Sequence, residues 1–303
     1  MPARVLYVGQ RCSIDPSANF SVTGLTGIRY LPVQSASCEV TRPIEDIFSF
    51  GHLGSLGRFQ NSVSTCKSDI KSYLANVTGS LDLNSSSASS GQYYSAINAQ
   101  FLGLLTGYAL AGTNCRIDVQ PNGFTMSGIL ASVGIAISIG QFATCDLSFV
   151  GIGEPAFALA PSGSAYTEQT QMPSSFTPVT SSFVSGILTG GCPNSFKFSL
   201  DLPNETINCL GGIVTGNQAE IADDFLYVAK PPFKCTVNVE GLSVDPPVGS
   251  DIAKTSFVIG KLAILLPNGQ VTSRSFNNAV GQAGASYNYT IEDISCVFSQ
   301  TAN

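Results

Sequence analysis

The chain has 303 residues, 44% of them hydrophobic and only 11% charged, with a net charge of −6 and a pI near 4.7. Charged residues make up about a quarter of an average soluble domain, so either Ser, Thr, Asn and Gln solvate this surface or partners cover much of it. The acidic balance excludes a protein that grips nucleic acid by its phosphates, which needs a basic surface; it does not exclude DNA that passes nearby without sticking.

The N-terminal arm, Met1–Ser21, contains too short an apolar stretch for a signal peptide. An alternating segment, "SASCEVTRP", then predicts a strand that leads into the turn-like "EDIFSFG" (Glu45–Gly51). "STCKSDI", carrying Cys66, alternates again. "SLDLNSSSASSGQ" (Ser80–Gln92) reads as a loop, and the Ala/Leu-rich stretch after it predicts a helix from about Tyr94 to Leu105. "PNGFTMSGILASVG" (Pro121–Gly134) opens on Asn122 and Gly123, a strong hairpin signal because both residue types tolerate positive φ. The longest apolar run, Ile129–Ile139, is too short to span a bilayer, so no membrane partner is expected.

Residues 154–190 read as a linker between a first unit, 1–153, and a second, 191–303. The second unit repeats three marks of the first in the same order. "SFKFSLDLP" leads into "ETINCLG" (Glu205–Gly211), so Glu205 and Gly211 answer Glu45 and Gly51. "FKCTVNVE", with Cys235, answers the Cys66 strand, and "PNGQVTSRSFNNAVG", with Asn268 and Gly269, answers the first P-N-G segment. Period-two alternation predicts two faces for these strands. Cys38, Val40, Phe198, Leu200 and Val237 form the core side. Ser37, Glu39, Thr41, Thr65, Lys67, Asp69, Lys71, Lys197, Ser199, Asp201, Lys234, Thr236, Asn238 and Glu240 form the polar side. A mainly β chain with an internally duplicated unit is the expectation.

Catalytic signals are missing. There is no G-x-S-x-G elbow, and the one histidine, His52, lies in a turn-like "FGHLG". Glu45 and Asp46 are adjacent on a strand and point to opposite faces. Nine widely spaced cysteines with no C-x-x-C read as small buried hydrophobes in a reducing cytoplasm, and no metal or other cofactor is implied.

The motifs "CEVTRPIEDIFSFGHLG" (Cys38–Gly54), "KPPFKCTVNVEG" (Lys230–Gly241) and "NGFTMSGILASVGIAISIGQFATCDLSFVGI" (Asn122–Ile152) resemble those of the tail tube (major tail) proteins of long-tailed bacteriophages. The resemblance covers most of Ser35–Ile152 and Ser195–Phe298. It implies β-sandwich or barrel-like units with a flanking helix, whose rings stack into a tube for genome ejection. It also implies a virion protein assembled in the host cytoplasm, with itself and other tail proteins as partners and double-stranded DNA as a transient one. Two units per chain favour a trimer with pseudo-six-fold symmetry over a hexamer. The polar strand faces would then line the lumen, and three chains of charge −6 would place −18 on each ring. Lysines there need offsets, which Lys67 beside Asp69 and Lys197 with Asp201 offer. The loops Gly51–Gln60, Gly212–Asp224 and Ser80–Gln92, with the N-terminal arm, are candidates for ring-to-ring contacts. The competing readings are a surface or secreted β-sandwich binding module, such as an adhesin, and a capsid decoration or head–tail adaptor protein.

Overall fold

The structure is a computed structural model that describes residues 11–16, 28–31, 33–51, 53–60, 64–76, 92–94, 97–120, 123–157, 178–180, 184–185, 192–207, 226–230, 232–243, 256–277 and 285–300. The first half runs β1 (Arg11–Pro16), β2 (Ile28–Tyr30), β3 (Val33–Thr41), β4 (Ile44–Ile47), β5 (Gly57–Gln60), β6 (Thr65–Tyr73) and β7 (Gln92–Tyr94). Helix α1 (Ala99–Leu110), β8 (Cys115–Gln120), β9 (Phe124–Ser138), β10 (Thr144–Ile152) and β11 (Ala156–Phe157) follow. The second half runs β12 (Val184–Ser185), β13 (Cys192–Asp201), β14 (Asn204–Ile207), β15 (Leu226–Ala229) and β16 (Lys234–Ser243). It ends with β17 (Ser256–Ile259), β18 (Leu262–Leu265), β19 (Gln270–Asn277), β20 (Ala285–Asp293) and β21 (Val297–Gln300). The chain is mainly β, as its alternation requires.

One sheet organises the molecule, with strand order β19-β20-β16-β13-β9-β10-β6-β3, and every neighbouring pair is antiparallel. The two halves meet inside this sheet, where β13 pairs with β9. They therefore share a sheet and a core rather than packing as separate sandwiches. Strict alternation explains the core. Phe196, Phe198 and Leu200 of β13, Cys235, Val237 and Val239 of β16, and Tyr287, Tyr289 and Ile291 of β20 are all buried on one face.

A second layer covers that face. Phe196 meets Phe257 of β17 with ring centroids 5.5 Å apart, and Phe198 meets Phe298 of β21 at 5.7 Å. β17, β18 and β21 form a four-stranded sheet with β12, while α1 packs against β9 and β21. The helix begins later than its composition predicts, at Ala99. Asn98 caps it, its side-chain oxygen accepting from Phe101 N–H at 3.0 Å. Gly103 and Gly107 fall where an added Cβ would meet nothing, so they do not interrupt packing. The Ser80–Gln92 loop lies outside the described residues except at its last position, Gln92, in β7.

The two P-N-G segments differ in place. The first joins β8 to β9 as a hairpin, with Asp118 opposite Thr125. The second carries the chain from β18, in the smaller sheet, to β19, in the main sheet. Neither Gly123 nor Gly269 has a positive φ. Gly123 is required for space instead, since a Cβ there would stand 2.2 Å from the Val119 carbonyl oxygen. At the second segment the buried Asp293 carboxylate organises the crossing, accepting from Asn268 N–H at 2.7 Å and Ile294 N–H at 2.6 Å. Asn122 lies outside the described residues.

Candidate assembly surface

The face opposite the core is polar from one end of the sheet to the other. The register places Ser37 opposite Asp69, Asp69 opposite Ser148, Ser148 opposite Ser132, Ser132 opposite Asp201, and Asp201 opposite Lys234. Every residue assigned from the sequence to the polar side therefore falls on this one face: Ser37, Glu39 and Thr41 on β3, Thr65, Lys67, Asp69 and Lys71 on β6, Lys197, Ser199 and Asp201 on β13, and Lys234, Thr236, Asn238 and Glu240 on β16. The sequence reading misses their counterparts on β10 and β20, although "CDLSFVG" and "SYNYTIED" alternate as plainly. Asp146, Ser148, Asn288, Thr290 and Glu292 complete the face.

Most of the charge on this face is locally balanced. Lys67 Nζ lies 3.2 Å from Asp69, Lys71 Nζ lies 3.9 Å from Asp146, and Lys234 Nζ lies 3.1 Å from Glu292. Lys197 does not pair with Asp201, which sits two same-face positions further along β13. Among the described residues no carboxylate reaches Lys197. The carboxylates Glu39, Asp69, Asp146, Asp201, Glu240 and Glu292 outnumber the lysines Lys67, Lys71, Lys197 and Lys234. Polar ties cross the strands: Ser148 donates to Asp69 at 2.6 Å, Thr290 to Asn238 at 2.8 Å, and Ser195 and Asn288 both donate to Glu240, at 3.1 and 3.2 Å. Ser35, Ser37, Lys67, Asp146, Ser199 and Asp201 line a shallow depression on this face.

The order of strands repeats across the sheet. β3-β6-β10-β9 in the first half corresponds to β13-β16-β20-β19 in the second. The correspondence extends to irregularities. A bulge at Gln34 on β3 matches one at Asn194 on β13, and a bulge at Ala131 on β9 matches one at Thr272 on β19. Each half also projects a two-stranded hairpin between its first two strands. Glu45 faces Phe59 in β4–β5, and Glu205 faces Val228 in β14–β15. Thus Glu45 matches Glu205, Pro43 matches Pro203 and Cys66 matches Cys235, as the sequence marks suggest. The P-N-G segments do not match: the strand register sets Gly269 against Gly128, five positions beyond Gly123.

In the hairpins, Arg58 pairs with Asp46 at 2.8 Å and Lys230 with Glu205 at 2.9 Å. Arg42, at the base of the first hairpin, pairs with Glu154. Gly51 turns the chain at φ +88°, a conformation that favours glycine. Around it the tip exposes Ile47, Phe48, Phe50, Leu53 and Leu56, with Phe50 and Leu53 wholly exposed. His52 and Gly211 lie outside the described residues, as does Gly212–Asp224.

Of the eight described cysteines, five are buried, Cys38 and Cys296 are half-buried, and Cys192 is exposed; none is in a disulfide. Burial, with Cys38 nearby, pushes the Cys66 thiol up to about 11. Burial also raises Cys145. No group of ligand-type side chains suited to a metal occurs among the described residues, and no helix is long and apolar enough to cross a membrane. No protein-family model and no curated protein matches the sequence.

Proposed function

We propose that the chain is a structural subunit that closes into rings, the rings stacking into the tail tube of a long-tailed bacteriophage as the conduit for genome ejection. One observation carries this reading. The main sheet repeats the same four-strand order twice and ends in two strands, β3 and β19, with no partner on their outer edges among the described residues. A sheet whose internal order already repeats head to tail is suited to continue the repeat from chain to chain. That arrangement closes as a ring when the rotation allows it and removes the edge-pairing hazard. We read the repeat as an internal duplication, and a trimer with pseudo-six-fold symmetry as the ring.

The polar face supplies the chemistry of a conduit. DNA sliding past fixed lysines would stick unless carboxylates offset them, and here the carboxylates are in excess and mostly adjacent. The apolar tip of β4–β5 is suited to a contact with another chain, since exposed apolar clusters mark interaction sites.

Electron microscopy of the purified chain, with mass photometry on the same sample, tests the reading. Hollow rings or tubes with a three-chain repeat are expected. Six-chain rings would keep the function and remove the pseudo-six-fold trimer. A chain that stays monomeric at high concentration would overturn the tube reading in favour of a surface binding module.

A further inference from the structure

Resting on the ring reading, we infer that β3 of one chain pairs antiparallel with β19 of the next in one defined register, copied from the β13·β9 junction inside each chain. In that junction Lys197 faces Ala136, Phe198 faces Ile135, Ser199 faces Gly134, Leu200 faces Val133 and Asp201 faces Ser132. The two bulges bracket it. Ile139 N–H donates to the Asn194 carbonyl at 3.0 Å, and Leu202 N–H donates to the Ala131 carbonyl at 2.8 Å.

Both sides of this junction have counterparts at the outer edges. β3 matches β13 through the bulges at Gln34 and Asn194, and β19 matches β9 through the bulges at Thr272 and Ala131. Carrying the pairing across sets Ser37 opposite Asn277, Cys38 opposite Phe276, Glu39 opposite Ser275, Val40 opposite Arg274 and Thr41 opposite Ser273. At its end Arg42 N–H donates to the Thr272 carbonyl.

The inferred register passes two checks that did not enter its construction. Strand directions agree, because β3 runs as β13 does and β19 as β9 does throughout an all-antiparallel sheet. The polar face agrees too. Asn277 and Ser275 lie on the polar face, opposite Ser286 and Asn288, so Ser37, Glu39 and Thr41 meet polar partners. Cys38 meets Phe276, which is 42% exposed in the single chain and packs on Tyr289 of its own sheet. A slip of one residue would put Phe276 against Ser37 or Glu39 and break both faces.

Disulfide trapping tests the register. The hydrogen bonds flanking the internal junction make Ser199·Gly134 a non-hydrogen-bonded pair, with Cα atoms about 4.5 Å apart, within disulfide range. Its counterpart is Glu39·Ser275, and both side chains are exposed. The two residues of a single chain are seven strand spacings apart, roughly 34 Å at about 4.8 Å each, so a bond between them must join two chains. Glu39→Cys and Ser275→Cys chains, mixed and oxidised with diamide, should shift from monomer to dimer mass on a non-reducing gel. The doubly substituted chain should form a ladder ending at the ring. The slipped pair Ser37→Cys with Ser275→Cys should stay at the parent chain's background, which exposed Cys192 sets.

Linkage of the slipped pair in place of Glu39–Ser275 would overturn the register. Rings without Glu39–Ser275 linkage would also overturn it while leaving the tube reading standing. Dimers of the expected pair that build only open ribbons would keep the register and remove the tube. No assembly, even of the parent chain, would remove both.

Discussion

The two halves of the main sheet are nearly alike on one face and different on the other. On the polar face, strand order, bulges and hairpin legs correspond. On the core face, α1 packs on β9 of the first half, and β8 with β1 extends the sheet from β9, whereas β17 and β21, in a separate sheet with β18, pack on β13 of the second. Backbone register repeats where the proposed ring needs equivalence, and side-chain packing differs where only a filled core is needed. Cores tolerate extensive repacking if volume and pattern are kept, whereas a strand edge must keep its register to pair.

The sharpest test makes one substitution at two matching places. In the inferred register the N–H of Val40 points outward to the neighbouring chain, as that of Leu200 points to β9. Proline removes this donor and obstructs pairing. Val40→Pro should leave a folded monomer with near-parent thermal stability and abolish rings, read by mass photometry with circular dichroism. Leu200→Pro falls in the middle of the sheet and should prevent folding altogether. Equal damage from both would show that β3 is not an outer edge.

Core truncation separates the halves by degree. Phe198 is buried between β13 and β21, so Phe198→Ala should cost about 3–5 kcal/mol in urea unfolding of monomer. Its match, Cys38, is half-buried, and Cys38→Ala should cost far less in the monomer. A large loss at Cys38 would mean that the first half's edge is already covered within one chain.

Charge reversal addresses the face that the halves share. Asp201→Lys and Glu240→Lys together should leave rings intact, because Asp201 makes no described hydrogen bond, Glu240 holds only exposed ones, and neither lies on the inferred junction between chains. Genome release from particles carrying this chain should slow, since the lysines add phosphate contacts. Normal release kinetics would sink the lumen assignment. At the hairpin tip, Phe50→Ser with Leu53→Ser should leave single rings and shorten tubes, measured as length distributions in micrographs. Unchanged tube lengths would free the tip from any ring-to-ring role.

Much of this arrangement was legible in the sequence, and the illegible part has physical causes. Period-two alternation put Phe198 and Asp201 on opposite faces, and the paired glutamates and cysteines marked equivalent positions. The P-N-G repeat misled by five residues, because Asn-Gly chemistry reports a tight local turn and not the strand register around it. The bulges at Gln34 and Thr272 carry no residue signature, yet they bracket the inferred junction between chains. Alternation places Asp293 on the buried face with Tyr287, Tyr289 and Ile291. What its carboxylate does there, accepting from Asn268 N–H at the crossing between sheets, is a tertiary event that local pattern does not encode.

The smallest expected effect is a titration. Burial holds the Cys66 thiol protonated up to about 11 in the folded chain, against an ordinary value of 9.0. The folded state therefore binds this proton more tightly than the unfolded state. Its contribution to stability is fully present below about pH 9 and is lost as pH rises toward 11. The second half's matching thiol, Cys235, is raised as well, by a hydrogen bond with Cys296 first and by burial second. Denaturant midpoints of the monomeric Val40→Pro chain should fall between pH 9 and 11, and Cys66→Ala should make that fall shallower. An unchanged slope would mean that Cys66 is not desolvated in the folded chain, and that the first half's core is open where the second half's is closed.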